Sequence, residues 1–109
     1  MENTGLGEFE ESLRNSENEK FVMKLYITGV TPNSKRAVES VNKICEEYLK
    51  NRYELEIIDI YQQPTRIEED QIIATPTLVK LLPAPKRKLI GDLSDLNKVL
   101  SGLGLEKKL

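Results

Sequence analysis

Apolar positions along the chain fall into strand-length and helix-length patterns between residues 21 and 105. Residues 21–27 are almost continuously apolar, which is typical of a strand covered on both faces of a sheet. Residues 33–50 carry an apolar stripe at helical spacing, and residues 53–60 alternate before ending apolar. These patterns predict a β-α-β unit with parallel strands, a central first strand, and the helix on one face of the sheet.

A short second helix is predicted to begin at Pro64, because proline suits the first helical position. Its apolar side chains would face the sheet and its charged side chains the solvent. The apolar members are Ile67, Ile72 and Ile73, and the charged members are Arg66, Glu68, Glu69 and Asp70. The adjacent carboxylates would fan around this helix, which suits neither a metal site nor an acid–base pair.

The remaining patterns predict a β-hairpin and a final helix. Residues 77–82 form a third strand, halted by prolines that lack the amide hydrogen of a strand ladder, and residues 87–90 return as an edge strand. A helical pattern follows from Leu93, with Asp92 or Ser94 as its cap. The order β-α-β-α-β-β-α is that of a single α/β domain with a thioredoxin-like fold.

The start of the first helix lacks the chemistry of a redox-active domain of this shape. Such a domain carries a Cys-x-x-Cys pair there, and the helix dipole stabilises its thiolate. Here the window is Thr31-Pro32-Asn33-Ser34, with Thr31 as the predicted cap, and hydroxyls cannot cycle between thiol and disulfide. The Thr75-Pro76 turn resembles the one that enters the third strand of such domains, and its peptide bond is either cis or trans.

One cysteine and no histidine restrict the chemistry further. Cys45 lies on the apolar stripe of the first helix, and we expect it in the core because free cysteine is among the most buried residue types. A single cysteine forms no internal disulfide, which fits a reducing compartment. Without histidine there is no His-dependent triad or zinc site. We identify no catalytic, metal-binding or cofactor-binding residue.

Charge and length favour a cytoplasmic protein of one folded domain. The net charge of -2 lacks the excess of cations typical of nucleic-acid binding, and the one dense basic run is Lys86-Arg87-Lys88. No apolar run approaches the roughly 20 residues of a membrane span, and the amino end has no signal-peptide pattern. We therefore expect neither nucleic-acid nor membrane partners. We predict a flexible acidic arm at residues 1–20, the domain at 21–105 and a short tail at 106–109.

Several short motifs, read together, point to a known family. They are Lys24-Leu25-Tyr26, Gly29 with Thr31-Pro32-Asn33-Ser34, Ile58-Asp59, Glu68-Glu69-Asp70, Ala74-Thr75-Pro76-Thr77-Leu78, Leu82-Pro83 and Ile90-Gly91-Asp92-Leu93-Ser94. In this order and spacing they resemble the KaiB family of circadian-clock proteins. The resemblance implies a non-enzymatic regulator that binds a KaiC-type ATPase and autokinase and modulates its phosphorylation state, in a circadian or stress-adaptation system.

The resemblance also implies a choice between two folds. One is a thioredoxin-like monomer that binds the ATPase ring, and the alternative is the KaiB tetramer fold with a rearranged C-terminal half. A homo-oligomer, dimer or tetramer, is therefore a possible further state. Pro76 lies close to where the common half gives way to the rearranging half. Gly102 matches a glycine associated with the switch.

The partner-binding surface of the family maps onto five positions of this chain. These are Arg36, Tyr53, Glu56, Gln71 and Lys88. Glu56 and Gln71 depart from lysines of the cyanobacterial members, so we expect partner electrostatics to differ. Together with Gly104 in place of an acidic residue, the acidic amino-terminal arm and the lack of an acidic tail, these differences suggest a member from a non-cyanobacterial system.

Two other hypotheses remain open. One is a thioredoxin-like redox protein that uses Cys45, and it is the weaker because no second thiol is present. The other is a sensor domain resembling the KaiB-like part of clock histidine kinases. The lack of a kinase segment makes it less favoured.

Overall fold

The computed structural model describes residues 19–105, which form a four-stranded mixed sheet with α-helices and a 3-10 helix. In chain order the elements are β1 (Phe21–Ile27), α1 (Pro32–Tyr48), β2 (Tyr53–Asp59), the 3-10 helix (Pro64–Glu68), β3 (Thr77–Leu82), β4 (Arg87–Ile90) and α2 (Leu96–Leu103). Most of the predicted acidic arm and all of the predicted tail lie outside the described residues.

The sheet has the strand order β2-β1-β3-β4, so β1 is a central strand as predicted. β1 runs parallel to β2 and antiparallel to β3, and β4 is antiparallel to β3. The parallel pair confirms the predicted β-α-β unit, and the antiparallel pair confirms the hairpin. This is the thioredoxin-like arrangement, with β2 and β4 as the two edges.

Local sequence signals explain where α1 begins. The Thr31 hydroxyl accepts a hydrogen bond from the Ser34 amide at 3.1 Å, and Pro32 occupies the first turn, where its missing amide hydrogen costs nothing. The apolar stripe then buries Ala37, Val41, Ile44 and Cys45 against the sheet. The predicted helix is therefore confirmed to within two residues at each end.

The main core lies between the helices and one face of the sheet. Its buried residues are Phe21, Met23, Leu25, Ala37, Val41, Ile44, Cys45, Leu49, Leu78, Leu93, Val99, Leu100 and Leu103. A smaller cluster of Tyr26, Ile58 and Val79 lies on the opposite face, with Ile60, Ile72 and Leu81 packed around it. Covering both faces explains why β1 is apolar along almost its whole length.

The predicted short helix does begin at Pro64, but it is a 3-10 helix, Pro64–Glu68, and not an α-helix. The segment makes only a 3-10 helix without a side-chain cap, and Gln71 follows with a left-handed φ of 53° that ends helical geometry. The predicted orientation is wrong at two positions for the same reason. Ile73 is 88% exposed although it was predicted to face the sheet, and Asp70 is 4% exposed although it was predicted to face water.

The final helix begins later than predicted, because neither Asp92 nor Ser94 is its cap. Asp95 is the cap, and its carboxylate accepts from the Lys98 amide at 3.3 Å. Asp92 instead accepts from the Ser94 amide at 2.9 Å, in the turn before the helix. At the other end, Gly104 adopts the left-handed conformation of a helix C-cap, with a φ of 77°.

Candidate functional site

Hydroxyl groups fill the position where a redox pair would lie. The Ser34 hydroxyl accepts hydrogen bonds from the Thr28 amide at 3.3 Å and the Thr31 hydroxyl at 2.9 Å. The Thr28 hydroxyl also bonds that of Thr75, next to Pro76, and the Thr75-Pro76 bond is cis. These contacts tie the end of β1, the start of α1 and the Thr-Pro turn together. Their role is therefore structural.

Cys45 lies in the main core, as predicted, with no exposed surface. Burial, with a smaller contribution from the Glu46 carboxylate, raises the pKa of the Cys45 thiol to about 11. The nucleophile and redox-active form of cysteine is the thiolate. Near neutral pH the thiol is therefore protonated and shielded, which does not favour redox chemistry.

The five predicted binding residues lie at three separate places on the molecule. Arg36 is at the first. It stands on the exposed side of α1, and its guanidinium donates to the Asn33 side chain. Both residues line a cleft of about 420 Å³ that also includes Pro76 and Asp92. A partner reaching this cleft would meet a cation and a carboxylate side by side.

Tyr53 lies at the second place, at the start of β2 and beside the last turns of α1. Its hydroxyl donates to Glu46 Oε2 at 2.6 Å, and this hydrogen bond to a carboxylate raises the pKa of Tyr53. Its ring packs at the edge of the main core. Tyr53 therefore presents a fixed aromatic edge at the opposite end of α1 from Arg36.

Glu56, Gln71 and Lys88 lie at the third place, around the sheet face that α1 and α2 leave open. Lys88 Nζ donates to the backbone oxygen of Gln71 at 3.2 Å, so these two predicted residues are in direct contact. Glu56 accepts both Nη groups of Arg66, each at 2.9 Å. These hydrogen bonds lower the pKa of Glu56, and the Arg66 guanidinium compensates the charge of Glu56 within the chain itself.

Asp70, which the sequence pattern places on the solvent side of a helix, organises this open face. Asp70 accepts from the Tyr26 hydroxyl at 2.7 Å, and its oxygens lie 2.8 Å from Lys86 Nζ and 3.3 Å from Lys24 Nζ. Burial alone would raise the pKa of Asp70, but the hydrogen bonds from Lys86, Tyr26 and Lys24 outweigh it and lower the pKa to about 2. Asp70 is therefore a buried, charged carboxylate shared by Lys24, Tyr26 and Lys86, and we call these four residues the hub.

One signal in the sequence would have indicated this hub. Lys24 and Tyr26 alternate with apolar residues in a strand that is buried on both faces, so their polar atoms need a partner on the open side. The partner is the same carboxylate for both.

Two further observations limit the chemistry of the described part. In residues 19–105, no three His, Cys, Asp or Glu side chains group as metal ligands would. No helix within that range is both long and apolar enough to cross a membrane.

Comparisons with known proteins place the chain among clock-related sequences. The model of the KaiB domain matches residues 24–105. The circadian clock oscillator protein KaiB of Cyanothece sp. is 54% identical over 85 residues, which are 78% of this chain and 81% of the relative.

Similarity to solved structures supports the fold. The N-terminal domain of Synechococcus elongatus SasA aligns with a TM-score of 0.63 and 25% identity, covering 84% of this chain and 90% of that one. Mitochondrial thioredoxin 3 of Saccharomyces cerevisiae aligns with a TM-score of 0.64 at 17% identity, over 91% of this chain and 88% of that one. The thioredoxin likeness concerns the fold alone.

Proposed function

Because the chain belongs to the KaiB family, we propose that it is a non-enzymatic regulator that binds a KaiC-type ATPase and autokinase. Binding modulates the phosphorylation state of that ATPase, in a circadian or stress-adaptation system. The observation that carries this proposal is a thioredoxin-like fold whose redox position holds the Thr31 and Ser34 hydroxyls. A scaffold of this kind, in a family of clock proteins, supports a role in binding.

The partner surface we propose comprises the cleft at Arg36, the edge at Tyr53 and the open face at Glu56, Gln71 and Lys88. Exposed cations such as Arg36 and Lys88 give a partner long-range attraction and orientation. Glu56 adds little charge of its own because Arg66 already pairs with it. We therefore expect a partner surface with carboxylates opposite Arg36 and Lys88.

The time course of phosphorylation of the KaiC-type ATPase tests this function. The wild-type chain should change the phosphorylated fraction at steady state, and Lys88→Ala should weaken that effect. Lys43→Ala removes an exposed lysine of α1 outside the proposed surface and serves as the matched control. An identical time course with and without the wild-type chain would contradict the proposal.

A redox function through Cys45 finds no support in the geometry. The thiol is buried and its pKa is raised to about 11, and no second cysteine exists to close a disulfide. The discriminating assays are insulin reduction and peroxide consumption. Activity that disappears in Cys45→Ser would favour the redox protein, and inert wild-type protein would end that hypothesis.

A further inference from the structure

The sheet has two outer edges, and they differ in how well each suits pairing with a second copy of the chain. β4 has only four residues, and its exposed Arg87 and Lys88 oppose edge-to-edge pairing because two copies would bring cations together. β2 has seven residues, and no strand of the described part lies beside its outer edge. The edge at β2 is therefore the one that suits self-association.

The backbone of β2 offers hydrogen-bonding groups along this edge. The Ile60 amide donates to the Ile27 oxygen at 3.0 Å. Near the start of the strand, the Arg52 oxygen accepts from the Phe21 amide at 2.9 Å. Even-numbered residues of β2 therefore face β1, and odd-numbered residues point their amide and carbonyl groups outward. The outward residues are Tyr53, Leu55, Ile57 and Asp59.

The two carboxylates that would otherwise guard this edge are already paired within the chain. Glu54 pairs with Lys20, and Glu56 pairs with Arg66 at 2.9 Å. Charged side chains on an edge strand normally discourage edge-to-edge pairing. Because each carboxylate has a cation of its own, Glu54 and Glu56 repel a second copy less than free carboxylates would.

The side chains of β2 favour one register for an antiparallel pair of two copies. A two-fold axis at Ile57 places Glu56 opposite Ile58 of the second copy, and Glu54 opposite Ile60. An axis one or two residues earlier would set glutamate against glutamate, and like charges directly opposite are destabilising. The favoured axis therefore passes through Ile57, whose side chain is 40% exposed.

Apolar side chains lie beside Ile57 on the helix side of the sheet. Ile57 pairs with Leu25 of β1, and Ile27 is the next residue of β1 on the same face. Ile27, Val30 and Val38 line a hollow of about 340 Å³. Val30 is 98% exposed. A second copy at this edge would cover the hollow, and burial of apolar surface favours association.

Charges along α1 are complementary about the same axis. Ser34 accepts from the Thr28 amide, which sets the start of α1 level with the end of β2. Glu46 accepts from the Tyr53 hydroxyl at the start of β2. Lys35 and Glu46 are about three turns apart, so they lie on one side of α1. The two-fold axis reverses α1, and Lys35 of each copy then lies level with Glu46 of the other.

We propose that a second copy of the chain docks at the outer edge of β2, which joins the two four-stranded sheets into one. The outward groups of Leu55, Ile57 and Asp59 pair across the axis, and the hollow beside α1 is covered. The dimer also covers Tyr53 and Glu56, two positions of the proposed partner surface. Self-association and partner binding at these positions therefore compete.

Sedimentation equilibrium of the full chain tests the dimer. Wild-type protein should reach the mass of a dimer at roughly 100 μM, as a weak interface does. Ile57→Glu places like charges on the axis and should raise the dissociation constant about tenfold or more. The matched control, Ile90→Glu, changes a similarly exposed isoleucine at the other edge and should leave it unchanged. Monomeric wild-type protein, or equal loss in both variants, would overturn the proposal.

A second measurement needs no variant and reads the register directly. In a mixture of isotope-labelled and unlabelled wild-type chains, isotope-filtered NMR should show a contact between the Hα of Glu56 and the Hα of Ile58 of the other chain. These residues form a pair without mutual hydrogen bonds, whose Cα atoms lie about 4.5 Å apart. Contacts between chains only at other residues would contradict the proposal and leave the edge at β2 to a different protein.

Discussion

Asp70 joins three parts of the molecule that are distant in sequence. Its carboxylate contacts Lys24 and Tyr26 of β1 and Lys86 of the turn before β4, while Asp70 itself follows the 3-10 helix. Breaking a buried ion pair from one side leaves the other charges without compensation, and this costs more than the pair is worth. Loss of the hub is therefore expected to lower the stability of the whole sheet.

We expect Asp70→Asn to destabilise the fold by about 2–3 kcal/mol, because Lys24 and Lys86 would lose their shared anion. Urea unfolding measures the change. Glu68→Gln is the matched control, since Glu68 is exposed two residues away, and it should stay within about 0.5 kcal/mol. Equal free energies of unfolding for the two variants would show that the hub contributes little.

The same hub predicts a response to acid. The pKa of Asp70 is about 2 in the folded protein, below the value of about 3.9 in an unfolded chain. Asp70 therefore contributes about 2 kcal/mol to the free energy of unfolding above about pH 5, and this contribution is lost as the pH falls towards 2. Urea unfolding at several pH values should show that the difference in free energy of unfolding between wild type and Asp70→Asn becomes smaller below pH 4. A gap independent of pH would contradict the assigned pKa.

At the scale of elements, Gly102 sets how closely α2 approaches β4. A Cβ built on Gly102 would clash with Leu89 Cδ2, so the leucine would have to move. We expect Gly102→Val to lower the free energy of unfolding by about 1–3 kcal/mol more than Ser101→Val does, as measured by urea unfolding. Ser101 is exposed on the same helix, and valine has a higher helix propensity than glycine but not than serine, so a larger cost at Gly102 would come from packing. Equal losses in the free energy of unfolding for the two variants would mean that α2 and Leu89 accommodate the added side chain.

The sequence predicts most elements because their signals are local. The Thr31 cap, the apolar stripe of α1 and the prolines after β3 each act within a few residues, and the structure confirms those elements. The segment after Pro64 is different, because it is held by contacts between Asp70 and residues of β1 that no local pattern encodes. Lys24 and Tyr26 lie about 45 residues away in sequence, and both contact the Asp70 carboxylate. A helical pattern alone does not reveal these contacts.

The same reasoning applies to the candidate site. Cys45 in the core and the missing redox pair could be predicted from single positions and their pattern. The contact between Gln71 and Lys88, and the pairing of Glu56 with Arg66, depend on tertiary structure and could not. The partner roles of these residues rest on family resemblance and stay predictions.

At the scale of the whole molecule, the proposed surface is spread over three places. Arg36, Tyr53 and the open face do not form one patch, so a partner would have to contact both ends of α1 or choose among them. Under the proposed function, the exposed cations Arg36 and Lys88 favour a partner that presents carboxylates to them.

Calorimetric titration of the full chain into a KaiC-type ATPase, with ATP and separately with ADP, tests the central claim most directly. We predict a saturable complex in at least one nucleotide state, about fivefold weaker for Arg36→Ala and unchanged for Lys43→Ala. No complex in either nucleotide state would contradict the account.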